Sequence, residues 1–399
     1  EVIEALKTLP TIKGTVPGWV RRHPTGSLST GTEGWPISGP ISAPSGEVPP
    51  TTPPVPPSEP PLPPPAPAAP APPPVVAAPA RSPASPPAVP PSGGPDFAHA
   101  TPKGATWQCA RVLTGHQSWV TAVAFNPRTA TLVSGSLDDS IKVWNLQTGA
   151  ELFTLHGHPR GVNDVKISTK GQVLVSCGDD DTVKVWNLTA GRLIHTLEGH
   201  VRDVTSVAIG HEGWTLASAS KDKSIKLWKL DKGTAIRTLM GSPAAVRAIA
   251  MTPDEAYLFS GGLDNKVRLW DLKTGEMVRF FSGHLNPVNA VAVSRDGLFV
   301  VSASKDKTII LWSVGTGSII HTLRGHGQEI NSVAIAPDNR TIISGSSDRT
   351  IKIWDARTGQ LLHTLLGHGN AVNAIAIHRT GRLIASASAD KTVRIWRFA

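Results

Sequence analysis

The sequence contains only two cysteines among 399 residues, too few for a disulfide framework. Cys109 and Cys177 stand alone in strand-like segments, so we expect both to be small core residues rather than metal ligands. No apolar stretch approaches the roughly 18 residues of a membrane-spanning helix, and no G-x-x-x-x-G-K-[ST] phosphate loop occurs. The sequence therefore predicts no metal site, no cofactor and no membrane span.

Proline is plentiful but confined to one end of the chain. Residues 1–105 hold 30 of the 36 prolines and little apolar material. Such a segment cannot bury enough surface to offset the entropy lost on folding, so we predict a disordered Pro-rich linker over residues 10–105. Residues 1–105 also hold six basic and six acidic residues, so the whole net charge of +9 falls in residues 106–399.

Residues 106–399 carry an internal repeat with a period of 42 residues. A Trp closes each of seven units, an Asp precedes it by six positions, and a Ser precedes the Asp by four. A Gly-His pair opens every unit except the fourth, which has Gly241-Ser242. The repeated positions are His116, Ser134, Asp138 and Trp144; His158, Ser176, Asp180 and Trp186; His200, Ser218, Asp222 and Trp228; Ser260, Asp264 and Trp270; His284, Ser302, Asp306 and Trp312; His326, Ser344, Asp348 and Trp354; and His368, Ser386, Asp390 and Trp396.

Each unit has the pattern of four short strands. Alternating apolar residues follow the Gly-His pair, and turns rich in Pro, Asp or Gly separate the segments. Four antiparallel strands per period of about 40 residues is typical of a propeller blade. We therefore predict an all-β, seven-bladed propeller.

The Gly-His pair, the Ser-x-x-x-Asp spacing and Trp-Asp dipeptides such as Trp354-Asp355 resemble the WD40 repeat family. The seventh unit ends three residues after Trp396 and lacks a fourth strand. The resemblance implies that residues 108–113 complete this last blade, which would remove two open sheet edges.

Ser, His and Asp recur together, and these are the residue types of nucleophilic catalysis. Six copies of one active site would be exceptional, and the resemblance implies instead a buried hydrogen-bonded chain from His through Ser to Trp. We therefore expect no enzymatic activity in this chain, and we expect the fourth blade to be the loosest. A catalytic propeller would need acidic or His residues around its central channel, and the sequence indicates none there.

The resemblance also implies that a protein or peptide binds the top face of the propeller, through two positions after each Gly-His and one before each Asp. We expect Trp119 and Arg247 to matter most, because exposed Trp and Arg are enriched at binding hot spots. The predicted contact residues are Trp119, Thr121, Leu137, Asn163, Asp179, Asp203, Lys221, Arg247, Leu263, Asn289, Lys305, Glu329, Asn331 and Asn373.

A nucleic-acid-binding propeller is the alternative, because six repeats carry a basic residue in the third strand, from Lys142 to Arg394. These residues are spread around the ring and alternate outward, so we interpret them as solvated blade surface. Histidines of the fourth strand, such as His195 and His321, are likewise expected on the outer rim.

Residues 1–9 have the pattern of a helix end and resemble the last helix of bacterial Ser/Thr protein kinases, some of which carry a Pro-rich linker and a WD40 propeller. On that hypothesis the chain is a regulatory or recruiting module of a signalling kinase. A stand-alone scaffold remains the alternative. We expect a monomeric propeller in the cytoplasm.

Overall fold

The structure, a computed structural model, describes residues 106–399 as 28 β-strands in seven four-stranded antiparallel sheets. The inner strands of neighbouring sheets contact one another in a closed ring, so the prediction of an all-β seven-bladed propeller is confirmed. The predicted linker over residues 10–105 and the helix fragment over residues 1–9 lie outside the described residues.

The blades follow the sequence period. Blades 1 to 4 comprise β2 (Val120–Phe125), β3 (Thr131–Ser136), β4 (Ser140–Asn145) and β5 (Glu151–His156); β6 (Val162–Ile167), β7 (Val173–Gly178), β8 (Val183–Asn187) and β9 (Arg192–Leu197); β10 (Val204–Ile209), β11 (Thr215–Ser220), β12 (Ile225–Lys229) and β13 (Thr234–Leu239); and β14 (Val246–Met251), β15 (Tyr257–Gly262), β16 (Lys266–Asp271) and β17 (Met277–Ser282). Blades 5 to 7 comprise β18 (Val288–Val293), β19 (Phe299–Ser304), β20 (Thr308–Ser313) and β21 (Ile319–Arg324); β22 (Ile330–Ile335), β23 (Thr341–Ser346), β24 (Ile351–Asp355) and β25 (Leu361–Leu365); and β26 (Val372–Ile377), β27 (Leu383–Ser388), β28 (Thr392–Phe398) and β1 (Trp107–Thr114).

The hydrophobic core lies between the blades. Seven clusters of buried side chains each join two neighbouring blades, and each includes the repeat Trp of one of them. Trp186 of blade 2, for example, lies in one cluster with Val143 and Leu155 of blade 1. Burying one indole contributes about 3–5 kcal/mol, so the regular Trp spacing accounts for much of the ring's cohesion.

Blade 7 is assembled from both ends of the described chain. Strand β1 pairs antiparallel with β28, with Trp107 opposite Phe398 and Leu113 opposite Val393. Leu113 is buried, whereas Cys109 on the same strand is exposed. The expectation of a core position is therefore wrong for Cys109, because the outermost strand of a blade faces solvent; Cys177, on β7, is buried.

The two faces of the disc are defined by the loops. In every blade the residue before the repeat Asp donates a backbone hydrogen bond to the residue three positions after the Gly-His pair, as Leu137 does to Trp119 at 3.0 Å. We call the face formed by these two loops the top face, and the opposite face, where strand 1 turns into strand 2, the bottom face. The described residues contain no helix suited to crossing a membrane.

Side chains of the fourth strands link neighbouring blades near the bottom face. His195 Nε2 donates to the carbonyl oxygen of Asp231 in the next blade at 3.2 Å, and His321 Nε2 donates to that of Arg357 at 2.8 Å. Both histidines lie on the outermost strand of their blade, as predicted, but their rings are half-buried and bond to the following blade.

Candidate partner-binding surface

Six blades contain one hydrogen-bonded chain of four side chains. The distance from His Nδ1 to Asp Oδ2 is 2.8–2.9 Å, from His Nε2 to Ser Oγ 2.7–2.8 Å, and from Trp Nε1 to Ser Oγ 2.8–2.9 Å. The chain ties the Gly-His loop to strands 2 and 3 of its own blade. Each hydrogen bond contributes about 1 kcal/mol net and would cost more if one partner were lost.

The chain has one consistent direction of donation. The Trp indole N–H can only donate, so Ser Oγ accepts it. Assigning the Ser proton to His Nε2 then leaves the His Nδ1–H to donate to the Asp carboxylate. This pattern requires a neutral imidazole. Burial accordingly lowers the pKa of His116 below its ordinary 6.5, although Asp138 opposes that shift.

The carboxylates at the end of the chain are ionised. Burial alone would raise the pKa of Asp138, but hydrogen bonds from Ser140 and from the backbone N–H of Gln117 outweigh burial and lower that pKa to about 2. The repeat serines of these six blades are fully buried and hold both hydrogen-bonding partners. No substrate can reach them, so the Ser-His-Asp sets hold the fold and cannot act as catalytic triads.

Blade 4 lacks this chain and holds its Asp by an ion pair. Ser242 stands in the His position and donates to the carbonyl oxygen of Ala244 at 2.7 Å. The Arg268 guanidinium instead bonds both carboxylate oxygens of Asp264, with Nη1 to Oδ1 at 3.1 Å. Trp270 still donates to Ser260 at 2.8 Å. An ion pair thus replaces the missing His in positioning this turn.

A β-bulge near the start of the first strand recurs in all seven blades. Bulges re-aim one side chain out of the regular alternation. In six blades that side chain donates to the backbone carbonyl that begins the first strand of the next blade, as Asn331 Nδ2 does to Val372 O at 3.0 Å. We call these positions the bulge ring: Thr121, Asn163, Thr205, Arg247, Asn289, Asn331 and Asn373.

The bulge ring contains six of the predicted contact residues, and five of them are engaged in holding the blades together. Thr121, Asn163, Asn289, Asn331 and Asn373 are half-buried, with their donors bonded to the next blade. Arg247 is the exception. It is exposed and makes no hydrogen bond or ion pair with any described residue. The structure therefore separates Arg247 from the other five as the ring residue whose side chain does not bond to the next blade.

The remaining predicted contact residues lie on the top face at different depths. Trp119 is 52% exposed and Leu263 45% exposed, while Leu137 packs on Gly161 of the next blade. The charged members are largely paired: Asp179 accepts from Asn163 at 2.9 Å, Lys221 pairs with Asp203, and Lys305 pairs with Glu329 of the next blade at 3.2 Å.

The expectation that the basic residues of the third strand form solvated blade surface is wrong for two of the six. Lys184 and Arg268 are buried, and the others are half-buried. The Lys184 ammonium donates to Thr196 of the fourth strand at 3.2 Å, and Lys352 makes the equivalent bond to Thr364 at 3.0 Å. Five of these six cations thus bond to side chains of their own blades, whereas the Nε of Arg394 is buried without a hydrogen-bond partner among the described residues.

The central channel has a volume of about 460 Å³ and is lined mainly by Ala and aliphatic residues. It does contain one acidic residue, contrary to the sequence-based expectation. Asp164 Oδ1 lies 2.6 Å from Lys166 Nζ, and its Oδ2 accepts from Ser206 of the next blade at 3.1 Å. The pair is neutral overall, and no cluster of His, Cys, Asp or Glu in residues 106–399 is suited to holding a metal ion.

A second exposed Trp lies on the bottom face, and the sequence analysis missed it. Trp214 is 58% exposed and borders a cleft of about 240 Å³ between blades 2 and 3, with Lys170 Nζ 5.8 Å from its ring centroid. The sequence does distinguish Trp214 from the repeat Trp residues. It occupies a different position of the 42-residue repeat, in a turn where the other blades carry Ala, Gln, Leu or Arg.

Seven four-stranded blades in a closed ring, six of them with this His–Ser–Asp–Trp chain, define a β-propeller built from a single repeat. The family model described as WD domain, G-beta repeat matches seven segments: residues 107–145, 149–187, 191–229, 233–271, 275–313, 317–355 and 359–397. The chain belongs to the WD40 family.

Similarity to individual proteins is limited to about one repeat. A pre-mRNA-splicing factor, PRP46 of Yarrowia lipolytica, is 45% identical over 51 residues, which cover 13% of this chain and 12% of that protein. Protein pleiotropic regulator PRL2 of Arabidopsis thaliana is also 45% identical over 51 residues, covering 13% and 11%. Coatomer subunit beta'-3 of Arabidopsis thaliana is 46% identical over 50 residues, covering 12% and 6%. The matched segments thus span only 6–12% of the length of these relatives.

Proposed function

We propose that this chain is a non-catalytic scaffold that binds a protein or peptide partner on the top face of its propeller. The observation that carries the proposal is Arg247, which lies where the central channel opens towards the top-face loops. Six blades use the bulge-ring position to hold the next blade, whereas blade 4 presents an exposed, unpaired guanidinium there. The exposed Leu263 lies on the same blade and adds apolar contact area beside this cation.

Trp119 supports the same face from blade 1. Trp119 is exposed over half its surface and belongs to none of the seven core clusters, and Trp is among the residue types enriched at binding hot spots. The names of relatives that the chain matches, a splicing factor and a coatomer subunit, favour a role within larger assemblies.

The test is capture of partners from lysate by the full chain and by two variants, Trp119→Ala and Arg247→Ala. Both variants should lose specific partners while their melting temperatures stay unchanged, because neither side chain is buried. Trp214→Ala is the matched control, since it removes an equally exposed Trp from the bottom face. Full retention of every partner by both top-face variants would refute the proposal.

The larger setting proposed is that of a regulatory or recruiting module in a signalling Ser/Thr kinase. It is supported by the resemblance of residues 1–9 to the last helix of such kinases and by the Pro-rich segment that follows. The genomic sequence upstream of Glu1 tests this: H-R-D and D-F-G motifs there support the kinase setting, and their absence leaves a scaffold without a kinase.

A further inference from the structure

We infer that the top face of blades 3 to 5 binds an acidic peptide segment that also carries aliphatic side chains. The inference rests on the proposed function and specifies the chemistry of its partner. It starts from the top-face loops of these three blades, whose composition differs from that of the neighbouring blades.

The loops of blades 3 to 5 are rich in basic side chains. The residues are Arg202, Lys221, Lys223, Arg247, Lys305 and Lys307. Lys221 and Lys305 have carboxylate partners on this face, Asp203 and Glu329. The other four make no ion pair and no side-chain hydrogen bond with any described residue, so this sector offers cations without internal counterions.

The repeat carboxylates in this sector do not cancel that charge. Asp222 and Asp306 accept hydrogen bonds from His200 and His284 at 2.8 Å and lie half-buried beneath the loops. Asp264 is neutralised by Arg268. Asp222 and Asp306 keep their charge beside neutral imidazoles, and Glu198 is an exposed carboxylate in the loop that leads into blade 3, so these three offset part of the positive charge. The four unpaired cations still leave the outer surface of this sector positive, which favours an anionic partner.

Aliphatic side chains lie among these cations. Val201 is 78% exposed, Leu285 is 82% exposed, and Leu263 is the half-exposed residue beside Arg247. Each of the three blades thus presents one exposed apolar side chain on the same face as its basic residues. Neighbouring apolar and basic side chains match a segment in which carboxylates and aliphatic residues are interspersed.

A peptide fits this composition better than a nucleic acid does. Single strands bind through aromatic platforms on which bases stack, and the top loops of blades 3 to 5 contain no Phe, Tyr or Trp. The Lys305–Glu329 pair also shows a carboxylate held on this face at 3.2 Å. Exposed Val and Leu have no counterpart on a phosphate backbone but do have one on an acidic peptide.

Blades 1 and 6 provide internal comparisons at the tip of the second top-face turn. The residue after the repeat Asp has a left-handed backbone in every blade, whether it is Asp139 in blade 1 at φ 68°, Lys307 in blade 5 at φ 69° or Arg349 in blade 6 at φ 72°. Because one backbone geometry accepts either charge, charge reversal at this tip should leave the fold intact. Blade 6 has a basic tip but no exposed aliphatic residue in its top loops.

The experiment measures binding of a short fluorescent peptide of Glu, Leu and Ser to the full chain. Two matched peptides serve as controls. In one, every Glu is replaced by Gln; in the other, the Glu/Ser peptide, every Leu is replaced by Ser. A DNA duplex of random sequence is tested as the alternative ligand. The Glu/Leu peptide should bind saturably, and each matched peptide should bind at least about tenfold more weakly.

Variants then locate the site. Lys223→Glu combined with Lys307→Glu should weaken binding of the Glu/Leu peptide at least about tenfold, because it reverses two unpaired charges. Arg349→Glu combined with Lys391→Glu reverses the same tip positions in blades 6 and 7 and should change affinity by no more than about threefold. Leu285→Ser should weaken binding of the Glu/Leu peptide and leave binding of the Glu/Ser peptide unchanged.

Three results would overturn the inference. They are absence of binding by the Glu/Leu peptide, equal effects of the two charge-reversed variants, and tighter binding of the duplex with steep salt dependence, which would indicate a nucleic-acid surface. Arg247→Ala could lose its captured partners while the Glu/Leu peptide fails to displace those partners from the native chain. That result would refute the proposed partner chemistry and leave the scaffold proposal standing. Retention of all partners by the top-face variants would instead refute the scaffold proposal itself.

Discussion

Blades 4 and 5 are neighbours with the same four strands, yet they hold their top loops by different interactions. Blade 5 uses the neutral His284, hydrogen-bonded to Asp306 at 2.8 Å and to Ser302 at 2.7 Å. Blade 4 uses the charged pair of Asp264 and Arg268. The same turn geometry is thus compatible with either a neutral hydrogen-bonded chain or a buried ion pair.

The difference extends to the contact that each of these two blades makes with the blade that follows it. Asn289 of blade 5 donates to Ile330 O of blade 6 at 3.0 Å, whereas the equivalent Arg247 of blade 4 makes no such bond. Blade 4 therefore departs from the repeat at two places, once beneath its top loops and once at the channel rim. The first departure has a structural substitute, and the second leaves a side chain available for binding.

The largest expected effect tests the first departure. Asp264→Ala should lower the free energy of unfolding by about 3–5 kcal/mol, because it leaves the buried Arg268 without a counterion. Asp306→Ala leaves only neutral donors without an acceptor and should cost about 1–3 kcal/mol. Urea denaturation of the two variants makes the comparison.

The control for that pair removes both charges of blade 4. Asp264→Ala combined with Arg268→Met should be more stable than Asp264→Ala alone, because no unpaired charge remains. If Asp264→Ala and Asp306→Ala lower the free energy of unfolding equally, the ion pair of blade 4 stabilises the protein no more than the hydrogen-bonded chain of blade 5 does. In that case the expectation that blade 4 is the loosest blade would stand.

Most of the fold could be predicted from the sequence because the repeat Trp, Ser and Asp specify the blades independently of their neighbours. The roles of Arg268 and Arg247 could not. Arg268 is one of six basic residues at the same position of the repeat. Only the structure shows that its guanidinium bonds to Asp264. The hydrogen bonds between blades could not be predicted either, because their partners are far apart in the sequence. Asn373, for example, donates to Val120 O, 253 residues away.

The candidate site was predicted only in part for the same reason. Loop positions on the top face could be counted from the Gly-His pair, but counting cannot show which side chains the next blade engages. Trp214 was missed because it lies in a bottom-face turn that the top-face positions do not include.

The second prediction uses pH to separate the two kinds of blade. Burial lowers the pKa of His284 below its ordinary 6.5, against the opposing effect of Asp306. The unfolded chain therefore takes up a proton at a higher pH than the folded protein does, and stability falls as pH drops from 7 through 6.5 towards 5. His284→Ser, which gives blade 5 the residue of blade 4, should be less stable at pH 7 but lose less stability over this interval.

Thermal melting at pH 7, 6 and 5 makes this measurement. A separate loss of stability is expected below pH 3.8. It arises because the pKa of Asp348 is about 2 in the folded protein, compared with an ordinary value of 3.8. Stability from this carboxylate is present above 3.8 and disappears as pH falls from 3.8 to about 2. An identical pH dependence above pH 5 for the native chain and His284→Ser would contradict the assignment of a neutral buried imidazole.

The smallest expected effect concerns the channel rim and has opposite signs for stability and binding. Arg247→Asn gives blade 4 the residue found in blades 2, 5, 6 and 7, and its amide should donate to the backbone carbonyl of Val288 as those residues do to theirs. The new hydrogen bond should raise the free energy of unfolding by about 0.5–1.5 kcal/mol. Asn373→Ala is the matched control and should lower it by a similar amount, because it removes one such bond and no other side-chain hydrogen bond. Partner capture by Arg247→Asn should fall even as its melting temperature rises, which would distinguish a residue kept for binding from one kept for the fold. A variant that is both less stable and fully competent in capture would assign Arg247 a structural role and remove the main support for a binding site at this position.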